Sequence, residues 1–300
     1  YLFLIDYFRS VPIPMDTKTK VGQSSPQEVF AYIEKELKES IPALPKETMA
    51  GRFGQAGAAA LLARLYLNAE AWIGQNRYAD ARKGAQDIID GAYGTYKLDE
   101  DYRGPFADGL TDRQSPENLW VFPHKKNVYE FSWMYNAMMH YQARYSLGNT
   151  WGGWNGIHLT PSRDLEGKPY TYKLGRPYEK FSNDDRRKQP FRTNADGTYD
   201  GFFLIGQQYA FDAQKGYGFT DEKVNGTEEY NGKPLSYVDQ VGRFSEGAEG
   251  TSKGSHVNMG EENSGVRLIK FPWLSESKNL FQNNWVAEIR LAEMYYIVAE

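Results

Sequence analysis

Cysteine is absent from this chain of 300 residues. That excludes disulfides, thiolate nucleophiles and cysteine-ligated zinc. The absence suits an exported protein stabilised by its core, and suits many cytosolic ones equally. No run of about 18 apolar residues occurs, so no segment reads as a membrane-spanning helix. A basic excess is also lacking: 35 Lys and Arg face 39 Asp and Glu, a net charge of -4, whereas a nucleic-acid partner would call for a basic stripe. Histidine is scarce. His124, His140, His158 and His256 are scattered without His-Glu-x-x-His or other close metal spacing, and most of them read as loop or surface residues. No phosphate loop, dinucleotide fingerprint or nucleophile elbow is present, so neither a cofactor nor a metal is expected. The opening residues, Tyr1-Leu2-Phe3-Leu4-Ile5-Asp6, carry no basic n-region or small-residue cleavage site.

Aromatic residues are what the chain has in excess. It holds 22 Tyr, 16 Phe and 7 Trp. Rings with a polar handle suit carbohydrate stacking, protein interfaces and partly wet cores alike, so they favour a binding role without choosing the ligand.

Helical periodicity is clearest between Gly51 and Tyr93. Ala58, Leu61, Leu62, Leu65 and Ala69 recur at the spacing of one helix face. After a turn at Gly74, Tyr78, Ala81, Ala85, Ile88 and Ile89 repeat the pattern, and Gly91 stands where a helix would stop. Alanine-lined faces let two antiparallel helices approach closely, as in tetratricopeptide-like pairs. Such a unit points to a scaffold or binding protein before an enzyme. Upstream, Ser25-Pro26-Gln27-Glu28 forms a capping box with proline in the first turn, and Val29, Phe30, Ile33 and Leu37 follow on one face. Pro42 and Pro45 end that helix, while residues 1–25 read as irregular.

The chain therefore divides into a helical scaffold over 1–93, a loop-rich part over 94–280 and the start of a further helix over 281–300. In the middle part, Ser115-Pro116-Glu117-Asn118-Leu119-Trp120-Val121-Phe122 reads as a turn entering a short buried strand, and Asn194-Ala195-Asp196-Gly197-Thr198 as a hairpin turn. The latter also has a faint calcium-loop look but lacks the closing glutamate. Asn225-Gly226 and Asn231-Gly232 mark further turns. Helix returns from Trp285 to Glu300, where Tyr296-Ile297-Val298-Ala299-Glu300 echoes Tyr66-Leu67-Asn68-Ala69-Glu70. A solenoid helix buries its apolar face on a following partner, so the natural protein is expected to continue and to cover Ala292, Tyr295, Tyr296 and Ala299.

The best ligand candidate is Trp151-Gly152-Gly153-Trp154-Asn155-Gly156. Flanking glycines keep bulk away from the indoles, so Trp151 or Trp154 can meet the C–H face of a pyranose while Asn155 satisfies hydroxyls. The competing account is a tryptophan packed beneath a loop. Trp133, Ala137, Tyr141 and Tyr145 recur at helical spacing, with Met134 and Met138 on an adjacent stripe, which reads first as a packed aromatic face and second as ligand contacts from Tyr141 and Tyr145. Paired carboxylates occur at Asp184-Asp185, Glu228-Glu229 and Glu261-Glu262. A glycosidase needs two opposed carboxyl groups from different elements, which sequence neighbours do not supply, so no catalytic residue is assigned. Asp184-Asp185-Arg186-Arg187 reads instead as a turn with surface ion pairs.

Taken in order, these segments resemble the SusD/RagB family of outer-membrane nutrient-binding lipoproteins. The resemblance rests on Val11-Pro12-Ile13-Pro14, Ser25-Pro26-Gln27-Glu28-Val29 leading to Leu44-Pro45, Gly51-Arg52 with the Ala-rich helix ending at Tyr66-Leu67, and Tyr78-Ala79-Asp80-Ala81 with Ile88-Ile89-Asp90-Gly91. It continues through Ser115-Pro116-Glu117-Asn118-Leu119-Trp120, Leu159-Thr160-Pro161-Ser162, Asn183-Asp184-Asp185-Arg186 and Arg290-Leu291-Ala292-Glu293-Met294-Tyr295. It implies a mostly α fold, a SusD-like α-superhelix of tetratricopeptide-like helix pairs carrying a loop-rich, mixed ligand-binding region. It also implies a noncatalytic protein on the extracellular face of the outer membrane, held by a lipidated N-terminal cysteine. Such a protein captures a glycan for a SusC-like TonB-dependent transporter. A peptide-binding branch of the family, an α-helical glycoside hydrolase or lyase, and a pure protein-interaction scaffold are the rival readings. The lipobox cysteine and the outer helices of the family are not in this sequence, which looks like truncation at both ends.

Overall fold

The structure is a computed structural model describing residues 1–46, 51–106, 115–124, 139–140, 142, 153–154, 176–189, 192–193, 199–212, 218–226, 232–237, 265–270 and 285–300. The chain forms two compact units. One comprises Tyr1–Pro105, Leu110–Pro123 and Trp285–Glu300, the other Phe106–Gly109 and His124–Asn284. Among the described residues no helix is long and apolar enough to cross a membrane.

The first unit is mostly helical. Its helices are α1 (Leu2–Phe8), α2 (Pro26–Ser40), α3 (Gln55–Leu67), α4 (Ala69–Ile73), α5 (Tyr78–Ile89) and α6 (Leu291–Ala299). Its two strands are β1 (Asn118–Phe122) and β2 (Val286–Arg290). The start of α2 is the expected capping box: the Ser25 hydroxyl accepts from the Glu28 N–H at 3.3 Å, and the Glu28 carboxylate accepts from the Ser25 N–H at 2.7 Å. Val29, Phe30 and Ile33 are buried along its inner face.

Helix α3 is buried nearly all round, from Ala56 through Ala60 and again at Ala63, Leu65 and Tyr66. Its apolar face therefore differs from the expected one: Leu61 and Leu62 are only half-buried, while Ala56, Ala58, Ala59, Ala60 and Ala63 are buried. Asn68 is the C-cap of α3, where its backbone and side-chain amides both donate to the Arg64 carbonyl, at 3.2 and 2.9 Å. Gly74 ends α4 in the left-handed conformation at φ 71°. After α5, Gly91 at φ 83° closes a Schellman motif, with the Ala92 N–H donating to Asp87 O at 2.9 Å and the Gly91 N–H to Ile88 O at 3.1 Å. Ala81, Ala85 and Ile88 of α5 are buried, and α5 approaches α3 so closely that a Cβ at Gly84 would lie 3.6 Å from the Ala63 Cβ.

One end of this helical stack is pinned by Glu34. Its carboxylate accepts from Lys38 Nζ at 2.6 Å, Tyr66 Oη at 2.8 Å and Arg77 Nη2 at 3.1 Å, and the Arg77 guanidinium stacks 4.4 Å from the Tyr66 ring centre. Burial works to raise the Glu34 pKa, but the three donors outweigh it and hold the carboxyl at about 2.

Two expectations need correction here. The N-terminal residues are not wholly irregular, since α1 forms where Ile5 is fully buried and the Trp72 indole N–H donates to Asp6 Oδ1 at 3.2 Å. A helix of two turns is too short to show periodicity, and its stability comes from packing. Nor does helix begin at Trp285. Val286–Arg290 is a strand, antiparallel to β1 with Asn118 opposite Arg290 and Phe122 opposite Val286. The non-local ladder overrides the helical spacing of its apolar residues. The echo of the 66–70 segment differs in structure, since 66–70 breaks at Asn68 between α3 and α4 while Tyr296–Ala299 continues α6, and Tyr66 is buried while Tyr296 is 63% exposed.

The β1–β2 junction joins two of the segments that carry the family resemblance. Glu117 is buried, accepts from Arg290 Nη1 at 2.5 Å and from the Asp99 N–H at 3.2 Å, and its carbonyl accepts the Leu291 N–H at 2.8 Å. Ser115 Oγ donates to Asp99 Oδ2 at 2.6 Å, completing the turn. Arg64 of α3 then ties the start of α6 down, with Nη2 donating to Glu293 Oε2 at 2.6 Å and to the Glu288 carbonyl at 2.9 Å. The Ser-Pro-Glu-Asn-Leu-Trp and Arg-Leu-Ala-Glu-Met-Tyr segments are thus structural partners.

The second unit, as described, is built from short antiparallel pairs. Phe203–Leu204 pairs with Arg267–Leu268, Gly206–Gln207 with Ser236–Tyr237, and Tyr209–Asp212 with Gly218–Lys223. Arg192–Thr193 pairs with Tyr199–Asp200, flanking the expected hairpin turn, which itself lies outside the described residues. Gly226 N–H donates to Lys233 O at 2.9 Å, closing the turn-rich stretch. Phe202, Phe203, Leu204, Leu235, Tyr237, Val266 and Ile269 form the buried interior.

Candidate carbohydrate-contact site

Trp154 is the one expected ligand residue within the described set. Trp151, Asn155, Tyr141 and Tyr145 lie outside it, as do the stripe from Trp133 to Met138 and the Glu228-Glu229 and Glu261-Glu262 pairs. The Trp154 side chain is 60% exposed, and it is the only exposed large hydrophobic among the side chains described in the second unit. An exposed indole offers a flat apolar face and an N–H donor, surfaces on which a ligand ring can stack.

A buried frame stands directly behind it. Gly153 is buried, and its N–H donates to the His140 carbonyl at 3.1 Å. Met139 and His140 are themselves buried. His140 Nδ1 accepts from the Gln142 N–H at 2.9 Å, which closes the turn on that side. The His140 ring meets Tyr237 edge-on with centroids 6.4 Å apart, and the Arg267 guanidinium lies 5.2 Å from the Tyr237 ring centre. His140 is therefore no surface residue: at 0% exposure it is a core histidine, held by a ring contact and a hydrogen bond that sequence spacing does not reveal. His124 is half-buried.

The carboxylate pair at Asp184-Asp185 is a turn with ion pairs, as its sequence suggests. Arg187 Nη2 donates to Asp185 Oδ2 at 2.6 Å, and this, against a smaller opposing effect of burial, lowers the Asp185 pKa. Arg186 Nη2 reaches Asp200 Oδ1 at 3.0 Å, while Lys188 donates to Asn183 Oδ1 at 2.9 Å and the Phe181 carbonyl at 3.2 Å. Asp184 points to solvent and Asp185 is committed to Arg187, so they do not form an opposed acid–base couple. In the first unit, a cleft of about 340 Å³ opens among Leu67, Tyr78, Arg82, Ile297 and Ala299. None of the expected ligand residues lines it. Among the described residues no cluster of His, Asp or Glu is arranged to hold a metal ion.

The SusD family model matches residues 114–300, more than half of the sequence. The chain belongs to the SusD family. Over 122 residues this SusD-family chain is 34% identical to the starch-binding protein SusD of Bacteroides thetaiotaomicron, a match covering 39% of the chain and 21% of that protein. Among solved structures, a SusD superfamily protein from Parabacteroides distasonis superposes with a TM-score of 0.61 at 15% identity, covering 100% of this chain and 52% of that one. A laminarin-binding SusD-like protein gives 0.54 at 17% identity, covering 99% and 56%. Surface glycan-binding protein A from Bacteroides uniformis gives 0.54 at 15%, covering 99% and 50%. The chain spans about half the length of these structures and a fifth of the starch-binding relative. The SusD fold is mostly α with tetratricopeptide-like helix pairs, and α3, α5 and α6 follow that plan.

Proposed function

We propose that the protein containing this SusD-family chain is a noncatalytic carbohydrate-binding subunit on the extracellular face of the outer membrane. It captures glycans and delivers them to a SusC-like TonB-dependent transporter. An N-terminal lipid is its membrane anchor. Trp154 carries this reading: an outward-facing indole on a buried frame offers a flat apolar surface to the C–H face of a pyranose ring. Trp151, Tyr141 and Tyr145 add further rings and Asn155 hydrogen bonds to hydroxyls. Relatives named for binding starch, laminarin and surface glycans support the ligand class. Catalysis is not part of the reading, because glycosidic cleavage requires two opposed carboxyl groups and the described pair is spent on a turn.

The test uses the full-length protein against starch, laminarin and a panel of plant, host and microbial glycans. Retention on native affinity gels is measured beside release of new reducing ends. Retention without release is expected. Release would identify a hydrolase or lyase instead, and absence of retention across the panel would favour the peptide-binding or scaffold readings.

A further inference from the structure

We infer that Gly153 is a positioning residue for Trp154, fixing the indole outward by locking the backbone against Met139 and His140. The inference rests on the reading of Trp154 as a ligand platform, and it explains how such a platform is held. Two contacts define the lock. The Gly153 N–H donates to the His140 carbonyl at 3.1 Å, so the two segments are bonded main chain to main chain. A Cβ at position 153 would overlap the Met139 carbonyl and stand 2.7 Å from the Met139 Cβ. These are backbone or near-backbone atoms of a buried residue, not the end of a flexible side chain, so they cannot swing aside.

The surface Gly153 leans on is itself immobilised. His140 is tied by the Gln142 N–H at its Nδ1 and by its ring against Tyr237, and Tyr237 in turn carries Arg267 on its ring, all three being fully buried or nearly so. One peptide link separates this column from an indole that is 60% exposed. The backbone from which the Trp154 side chain projects is therefore fixed at Gly153. A backbone already fixed before ligand arrives loses little freedom on binding, which favours affinity. Glycine at 153 serves this close backbone approach.

The experiment is ¹⁹F NMR of the full-length protein labelled with 5-fluorotryptophan, combined with calorimetric titration of whichever panel glycan is retained. Trp154→Phe assigns the Trp154 signal. Gly153→Ala is expected to shift that signal while the other indole signals stay in place, and to weaken binding by about tenfold, as a small displacement of a binding group does. An unmoved Trp154 signal with unchanged affinity would overturn the inference. If Gly153→Ala disturbs every indole signal, His140→Phe decides, because it keeps a buried ring against Tyr237 while removing the Nδ1 acceptor for Gln142. There, a shifted Trp154 signal supports the lock and an unmoved one refutes it. Trp154→Ala separates the two layers. If it leaves affinity unchanged, the ligand role of Trp154 fails, whereas a shifted signal in Gly153→Ala would still establish the lock.

Discussion

Replacing Gly84 by alanine and then by leucine should change stability in opposite directions. Gly84 lies within α5, and its missing side chain is directed at Ala63 of α3. An added methyl would sit 3.6 Å from the Ala63 Cβ and 4.0 Å from its Cα, ordinary van der Waals distances that require no movement. Glycine inside a helix costs about 0.5–1 kcal/mol relative to alanine, because the unfolded chain has more freedom to lose. Gly84→Ala should therefore stabilise by about 0.5–1 kcal/mol, or roughly 2–4 °C in Tm per kcal/mol for a domain of this size. Leucine adds three more carbons where only one fits, and overpacking of that kind costs about 1–3 kcal/mol. Differential scanning calorimetry of the full-length protein reads both. A lower Tm for Gly84→Ala would mean the helices approach more closely than described; a raised Tm for both variants would mean they are not packed at this point. Ala85→Leu is the companion, since Ala85 is fully buried on the same helix and should lose about 1–3 kcal/mol.

Other consequences are as direct. Ser25→Ala removes the hydroxyl that accepts the Glu28 N–H and should cost about 1 kcal/mol, read by chemical denaturation. Glu117→Gln breaks the ion pair with Arg290 at a buried position and should cost about 2–3 kcal/mol, short of a fully buried pair because Arg290 keeps some solvent; an unchanged denaturation midpoint would refute the stapling role of this junction. The Glu34 pKa of about 2 lies below its ordinary value of 4.5, so the unfolded chain takes up the proton first as pH falls. The stabilisation from Glu34 is then complete above pH 4.5 and disappears as pH drops toward 2. Glu34→Gln should flatten that part of the stability–pH curve, and an unaltered slope between those limits would count against the network.

How legible this protein was depended on whether a feature is made locally. The start of α2 was readable because a capping box is complete within four residues, and the ends of α4 and α5 because Gly74 and Gly91 supply left-handed geometry that few other residues adopt. The strand at Val286–Arg290 was not, because its state is decided by Asn118–Phe122, far away in sequence, and by the Glu117–Arg290 contact. Likewise α1 owes its existence to Ile5 being buried and Asp6 meeting Trp72, not to its own propensity. At the candidate site, the tryptophan and glycine pattern pointed to Trp154, yet the reason for the glycine was hidden. Its partner is the Met139 backbone, and no spacing rule links the two. His140 shows the same limit, since a lone histidine gives no sign of the tyrosine that buries it.

The most direct measurement is the affinity of the full-length protein for its retained glycan with Trp154 intact, replaced by phenylalanine and replaced by alanine. If the indole is the platform, alanine should weaken binding by about tenfold, equivalent to about 1.4 kcal/mol, phenylalanine should retain most of it, and the circular dichroism spectrum should not change. Undiminished binding by Trp154→Ala, with the fold intact, would contradict the account.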